Sequence, residues 1–227
     1  MPIQFESDPL PIGGNKERIN TVQLNLTLRI PCILLIDSAD PENEDNRLRN
    51  QKVLQTFHGI LSENSYFREA LDICIMSCGA AVELEHDFVS GADFQVPDIR
   101  TSTQRNLNTA INMALTKLEW KKKEYSQTGS RHTTPVLFLV SEGDATDRFF
   151  EEETRTRIRR CISEGEVAYV PMTLGDADTD YLESYYPTGL GAVPMLEPSA
   201  SNFRDAMPSF WDNVMVSPHP FNDGIWL

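Results

Sequence analysis

Long apolar runs are missing from this 227-residue sequence, and so is any excess of positive charge. Nothing approaches the ~18–20 apolar residues that cross a bilayer, so no membrane-spanning helix is expected. Twenty Lys and Arg stand against 34 Asp and Glu, a formal net charge of −14. A surface this acidic repels phosphate backbones and anionic lipids, which argues against nucleic-acid and membrane partners and leaves proteins and cations. The N-terminus, Met-Pro-Ile-Gln-Phe-Glu-Ser-Asp, has neither the basic flank nor the apolar centre of a secretory signal. Cysteine is scarce: Cys32, Cys74, Cys78 and Cys161 form no Cys-x-x-Cys pair, and His58, His86, His132 and His219 are scattered. Neither a disulfide framework nor a zinc site is expected. Reduced core thiols in a cytoplasmic protein are the simpler reading.

Catalytic signatures are absent too. There is no Gly-x-Ser-x-Gly elbow and no His with an evident carboxylate partner. Gly189-Leu-Gly191 lacks the further glycine and the Lys-Ser/Thr of a phosphate loop. The acidic stretch around Asp40, Glu42, Glu44 and Asp45 lacks the glycine and final glutamate of an EF-hand, and reads as a solvated loop. No enzymatic role is expected.

What is present is a series of buried-strand patterns alternating with helical ones. Residues 1–20, with Pro9, Pro11 and Gly13-Gly14, read as an irregular arm, and 21–227 as one domain. From Val22 to Ile30 apolar and polar residues alternate as in a half-buried strand; Pro31 is then expected to break the ladder, leaving either one bent strand or two separate ones. Cys32-Ile-Leu-Leu-Ile36 is a continuous apolar run ending in Asp37. Runs of this kind suit a strand covered on both faces. Similar runs occupy 71–78 and 135–140, the latter followed by Glu142-Gly-Asp144, with a fourth strand at 167–170 and a last one at 192–196. Residues 82–85 alternate and follow a Gly-Ala-Ala turn, so an antiparallel edge strand is expected there, then irregular chain from Asp87 to Arg105. Helical spacing marks Val53, Leu54, Phe57, Ile60 and Leu61. It recurs in Leu107, Ile111, Ala114, Leu115 and Leu118, a helix expected to end at the basic Trp120-Lys-Lys-Lys123. A charged helix over 149–162, a short one over 181–186 capped by the Asp176-Ala-Asp-Thr-Asp180 run, and a closing helix lined by Phe203, Met207, Phe210, Trp211 and Val214 complete the pattern. Strands alternating with helices predict an α/β sandwich of three layers: a mostly parallel sheet with one antiparallel edge strand, and helices on both faces.

In such sheets ligands bind beyond the carboxyl ends of the strands. Three segments there carry chemistry: the loop after Asp37, the loop from Thr101 to Asn108, and Glu142-Gly143. Carboxylates and hydroxyls converging from three loops are the donors a hard divalent cation takes.

On these residues the chain resembles the von Willebrand factor A domains, in particular the bacterial TerY-like branch of tellurite-resistance and stress operons. The resemblance runs through Ile30-Pro-Cys-Ile-Leu-Leu-Ile-Asp37, Ala70-Leu-Asp-Ile, His86-Asp-Phe-Val-Ser-Gly-Ala-Asp-Phe94, Leu107-Asn-Thr-Ala-Ile-Asn-Met-Ala-Leu115, Pro135 to Asp147, and Val214-Met-Val-Ser-Pro218. It implies a Rossmann-like fold and a metal-ion-dependent adhesion site with Asp-x-Ser-x-Ser on the first loop, Thr on the second and Asp on the third. Here the first position is Asp37, but Ala39 and Pro41 stand in the serine positions, Arg105 in the threonine position and Glu142, followed by Gly143, in that of the last aspartate. Ala39 and Pro41 offer no side-chain oxygen, and Arg105 brings a permanent positive charge to the place where the family holds a cation.

Three outcomes are open at this stage. The guanidinium bridges Asp37 and Glu142 in place of a metal, or the site has decayed with Arg105 in solvent, or Asp37 and Glu142 still hold Mg2+. The resemblance implies a protein-binding scaffold whose partner is another protein, a kinase or phosphatase or other operon-encoded component of a stress-response, tellurite-resistance or phage-defence assembly, with no cofactor. Metal-dependent adhesion to a partner carboxylate through residual Mg2+ is the alternative, and pairing with an intact relative as a pseudo-subunit a third.

Overall fold

The structure, a computed structural model, describes residues 28–39, 44–174, 177–190 and 195–203, with 44–46 as backbone only. The expected arm, most of the alternating stretch 22–30, Pro41 and the chain beyond Phe203 lie outside the described residues.

Among the described residues five strands form one sheet: β1 (Ile30–Asp37), β2 (Leu71–Cys78), β3 (Val82–Ser90), β4 (Val136–Ser141) and β5 (Ala168–Thr173), in the order β3-β2-β1-β4-β5. β1 pairs in parallel with β2 and with β4, β4 pairs in parallel with β5, and only β3 is antiparallel. Helices α1 (Glu44–Glu63) and α2 (Ser65–Ala70) connect β1 to β2. The chain then passes through β3 and α3 (Leu107–Thr128) to β4 on the other side of β1, and α4 (Glu151–Ser163) leads into β5 before α5 (Thr179–Glu183).

The alternation of strand side chains divides the core in two. Cys32, Leu34 and Ile36 pack on one face with Phe57, Phe138 and Phe203; Ile33 and Leu35 pack on the other with Ile111, Leu115 and Ile158. Both faces of β1 are covered, which is why its sequence is apolar at every position up to Asp37. Fully burying each of these aliphatic side chains contributes about 1.5–3 kcal/mol. The four cysteines are free thiols within these layers. Burial pushes the Cys74 thiol up to about 12, and those of Cys32, Cys78 and Cys161 rise for the same reason. They are packing residues, with little thiolate available for chemistry at neutral pH.

Several boundaries differ from the sequence reading. Pro31 does not break β1: it pairs with Asp72 on the β2 side, and β4 joins only from Cys32. Near the start of a strand, before the second ladder begins, a missing N–H is tolerated. β3 runs on to Ser90 rather than ending at Glu85, through a bulged register opposite Ile73–Met76. α3 continues past the lysine run to Thr128 and closes on Gly129 in the left-handed conformation, with no basic residue in its last turn. The lysines therefore do not serve the helix end. Lys121 instead approaches Asp72 and Glu124, and lies over the Phe88 and Tyr125 rings. Of the expected last strand, 192–194 lie outside the described residues, and Leu196 makes a single bridge to Met172. Asp178 does cap α5, accepting from the Tyr181 N–H.

The order of connections places the site. From β1 the chain moves to β2 on one side and later to β4 on the other, so the connections diverge between β1 and β4 and leave a crevice beyond their carboxyl ends. Asp37 ends β1, and Glu142 follows the last residue of β4, Ser141.

Candidate functional site at the carboxyl edge of the sheet

Three loops meet in this crevice and are tied together through their backbones. The Ser102 N–H donates to the Ser38 carbonyl at 2.9 Å, and Ala39 and Ser102 form a parallel bridge. Gly79, after β2, fits between them: a Cβ there would lie 2.6 Å from Ser102 Cβ and 2.9 Å from Ser38 Oγ. The second and third loops are joined at Arg105, whose N–H donates to Thr146 Oγ1 at 3.1 Å while the Thr146 N–H returns a bond to the Arg105 carbonyl at 2.8 Å. The arginine backbone is thus fixed from both sides before its side chain makes any contact.

That side chain lies between the two carboxylates. Nη2 donates to Glu142 Oε2 at 2.9 Å and Nη1 to the Gly143 carbonyl at 2.8 Å. Nε is 2.5 Å from Asp37 Oδ2, but its N–H is not aimed at the oxygen, so this contact is a close ion pair rather than an aligned hydrogen bond. The Asp37 side chain is 2 % exposed, Arg105 16 % and Glu142 29 %, so the pair to Asp37 is shielded and the pair to Glu142 faces the surface. A second arginine, Arg49 of α1, reaches the other Glu142 oxygen at 3.2 Å. Two guanidinium groups therefore balance two carboxylates with the same charge that one divalent ion would supply.

Asp37 has no oxygen left over. Oδ1 accepts from the Ala39 N–H at 2.9 Å; Oδ2 accepts from Ser141 Oγ at 2.7 Å and, more loosely, from the Glu142 N–H at 3.4 Å. The Asp37 carbonyl accepts from Asn50 Nδ2 at 3.0 Å. Burial raises the Asp37 carboxyl above its ordinary value, opposed by Arg105 and then by these three donors. Gly143 adopts φ +82°, and a Cβ there would meet the Asp178 carbonyl at 2.7 Å, so this turn requires glycine.

A divalent cation does not fit this arrangement. Its place is filled by Arg105, and Ser38, the one first-loop hydroxyl among the described residues, donates to the Cys78 carbonyl instead of facing the carboxylates. At an effective dielectric of about 20, a divalent ion about 4 Å from a guanidinium is repelled by about 8 kcal/mol. An ion drawn by the two carboxylates would have to displace the Arg105 side chain. Among the described residues no cluster of three metal-ligating side chains occurs elsewhere.

Of the residues singled out in the sequence, Asp37, Ala39, Arg105, Glu142 and Gly143 come together here; Pro41 lies outside the described residues. Three partners were not legible: Ser141, Arg49 and Asp147. Asp147 caps α3 from another loop. It accepts from the N–H groups of Asn108 (3.1 Å) and Thr109 (2.7 Å), and from Thr109 Oγ1 (2.7 Å), whereas the helix's own Asn106 makes no side-chain cap. The carboxylate satisfies two orphan donors and sits at the positive end of the helix dipole. Asp147→Ala is expected to lower stability by about 1–2 kcal/mol in urea denaturation, and Asp147→Asn by clearly less.

No protein-family model and no curated protein matches the sequence. Solved structures do match in fold. The ArnB paralog VWA2 from Sulfolobus acidocaldarius superposes with a TM-score of 0.52 at 17% identity, covering 79% of this chain and 44% of that one. Manganese-loaded TRAP protein from Plasmodium vivax gives 0.53 at 12%, covering 80% and 72%. Proximal thread matrix protein 1 from the mussel byssus gives 0.53 at 12%, covering 81% and 47%. The chain spans less than half the length of the first and last of these. At such identities the likeness is one of fold. The chain has the von Willebrand factor A fold: a mostly parallel sheet with one antiparallel edge strand between layers of helices. Among the described residues no helix is long and apolar enough to cross a membrane.

Proposed function

We propose that this chain is a non-catalytic protein-binding scaffold of the TerY-like kind, whose adhesion site works without a metal ion. The observation that carries this reading is the position of Arg105, held between Asp37 and Glu142 where a divalent ion would otherwise lie. An intact site grips a partner carboxylate through its ion; here recognition passes to the loop surface itself. Further along the third loop the chain carries Phe149, which is 92 % exposed and stacks edge-on with Phe150. An exposed aromatic on a loop held by a rigid sheet is the side-chain type that dominates binding energy at interfaces. The partner is another protein, a kinase or phosphatase or another component of a stress-response, tellurite-resistance or phage-defence assembly. The four unpaired thiols suit a cytoplasmic setting.

The test is capture of partners from an extract of the native cell on the immobilised chain, once with EDTA and once with Mg2+. The same partner is expected to be retained equally in both, and Phe149→Asp to reduce retention about tenfold or more. Retention that needs Mg2+ would instead favour metal-dependent adhesion.

A further inference from the structure

From Thr109 in its first turn, α3 exposes a stripe that nothing in the described chain covers. Thr109, Met113, Thr116 and Trp120 follow one another at helical spacing and floor a groove of about 620 Å³, walled by Val82 and Leu84 of β3 and by Phe150. The apolar members are open: Trp120 is 63 % exposed, Leu84 49 %, Met113 47 % and Phe150 43 %. From Thr109 to Trp120 the stripe covers three turns of helix, about 16 Å. Apolar side chains gathered in this way along a continuous groove are unlike single exposed residues, and mark a contact surface.

The charges around the groove narrow the occupant. Two cations line it, and both are neutralised from within: Lys117 by Asp87 at 2.8 Å, and Arg157 by Glu119 at 2.9 Å. The third charged lining residue, Glu153, has no ion-pair partner among the described residues, and the chain as a whole carries −14. The indole face of Trp120 is free to receive a cation. The floor is helical and its ridges are spaced to take another helix. Among the described residues β3 ends the sheet, but a strand added to that edge would leave the α3 stripe uncovered. Pairing of β3 with a second copy of itself would bring Glu83, Glu85 and Asp87 against their own kind.

We propose that this groove binds a basic amphipathic α-helix of a partner protein, with its apolar face on Met113, Trp120, Leu84 and Phe150 and a Lys or Arg beside Glu153. The groove includes none of the residues around Arg105 but adjoins the loop surface at Phe150, on which Phe149 stacks; Trp120→Ala and Met113→Lys therefore test the groove alone.

The probe is a synthetic peptide of about 18 residues in which Leu recurs at i, i+3, i+4 and i+7 on an otherwise Lys-rich helix. It is compared by calorimetry with a scrambled peptide of the same composition and with a version carrying Glu for Lys. Micromolar binding is expected for the first alone, with a gain of helical circular dichroism in the complex. Trp120→Ala and Met113→Lys, both at exposed positions, are each expected to weaken it at least about tenfold. Glu153→Gln should weaken it a few-fold and flatten its salt dependence. Equal binding of the scrambled peptide, indifference to Trp120→Ala and Met113→Lys, or a β-type signal in the complex would overturn the proposal.

Discussion

Replacing Arg105 by Leu is expected to destabilise the protein by about 3–5 kcal/mol at neutral pH, because it leaves the shielded Asp37 carboxylate without its counter-charge. The loss should shrink in acid. Burial already holds the Asp37 carboxyl above its ordinary value, and Arg105 is the largest opposing influence; without it the carboxyl rises further. A carboxyl with a raised folded value contributes stability that is fully present below its unfolded value, about 3.9, and lost as the pH rises through the folded one. The gap between wild type and Arg105→Leu should therefore be small near pH 4 and widen towards neutrality, as read from urea denaturation at several pH values. The double variant Arg105→Leu/Asp37→Asn removes charge and counter-charge together. It should recover much of the loss, since two matched neutral groups avoid the cost of an unpaired one. A gap that stays constant with pH, with no recovery in the double variant, would mean that Arg105 contributes by packing alone.

The second large effect is a gain. Combining Arg105→Thr, Ala39→Ser, Pro41→Ser and Glu142→Asp replaces the organic cation with oxygen donors at every position where the adhesion-site pattern is broken. The quadruple variant is expected to bind Mg2+, and the wild type to remain indifferent to it under the same conditions. At a concentration of about 100 times the dissociation constant, binding to the folded state alone would raise stability by about 2.7 kcal/mol, several degrees in melting temperature for a domain of this size. Titration calorimetry gives the stoichiometry directly. A variant that folds and ignores Mg2+ would show that the loop backbones, and not only their side chains, have left the metal-binding arrangement. The framework for such a test is in place: Ser38 and Ser102 are fixed by backbone bonds, and the Asp37 carboxylate by the Ala39 N–H, all of which the four substitutions leave alone.

Asp37, Arg105 and Glu142 could be picked out of the chain because two strand patterns end in carboxylates, and because the resemblance to the adhesion-site pattern assigns Arg105 its place. Arg49 and Ser141 could not. Arg49 sits 93 positions from the Glu142 it pairs with, and Ser141 is 104 positions from Asp37. Asp147 carried no role in the sequence beyond closing the stretch from Pro135, yet it holds the N-terminus of α3 in place of a local cap. Element ends failed for the same reason. The lysine run at 121–123 looked like a helix end until the helix was seen to continue to Gly129, with Lys121 turned to Asp72 across the packed face. Likewise Pro31 is compatible with β1 only because β4 begins pairing one residue later.

By itself the sequence determined the alternation of buried strands and amphipathic helices, because periodicity is a local property: a residue's neighbours three, four or two places along are enough to write it. It determined also that a carboxylate ends the first buried strand and that Ala39 and Pro41, two and four places on, carry no side-chain oxygen. Only the tertiary structure decided what balances that carboxylate. Charge neutrality in a shielded crevice is settled by whichever groups the diverging connections of β1 and β4 bring within a few ångströms. Here those are Arg105 from the second loop and, beyond Glu142, Arg49 from α1.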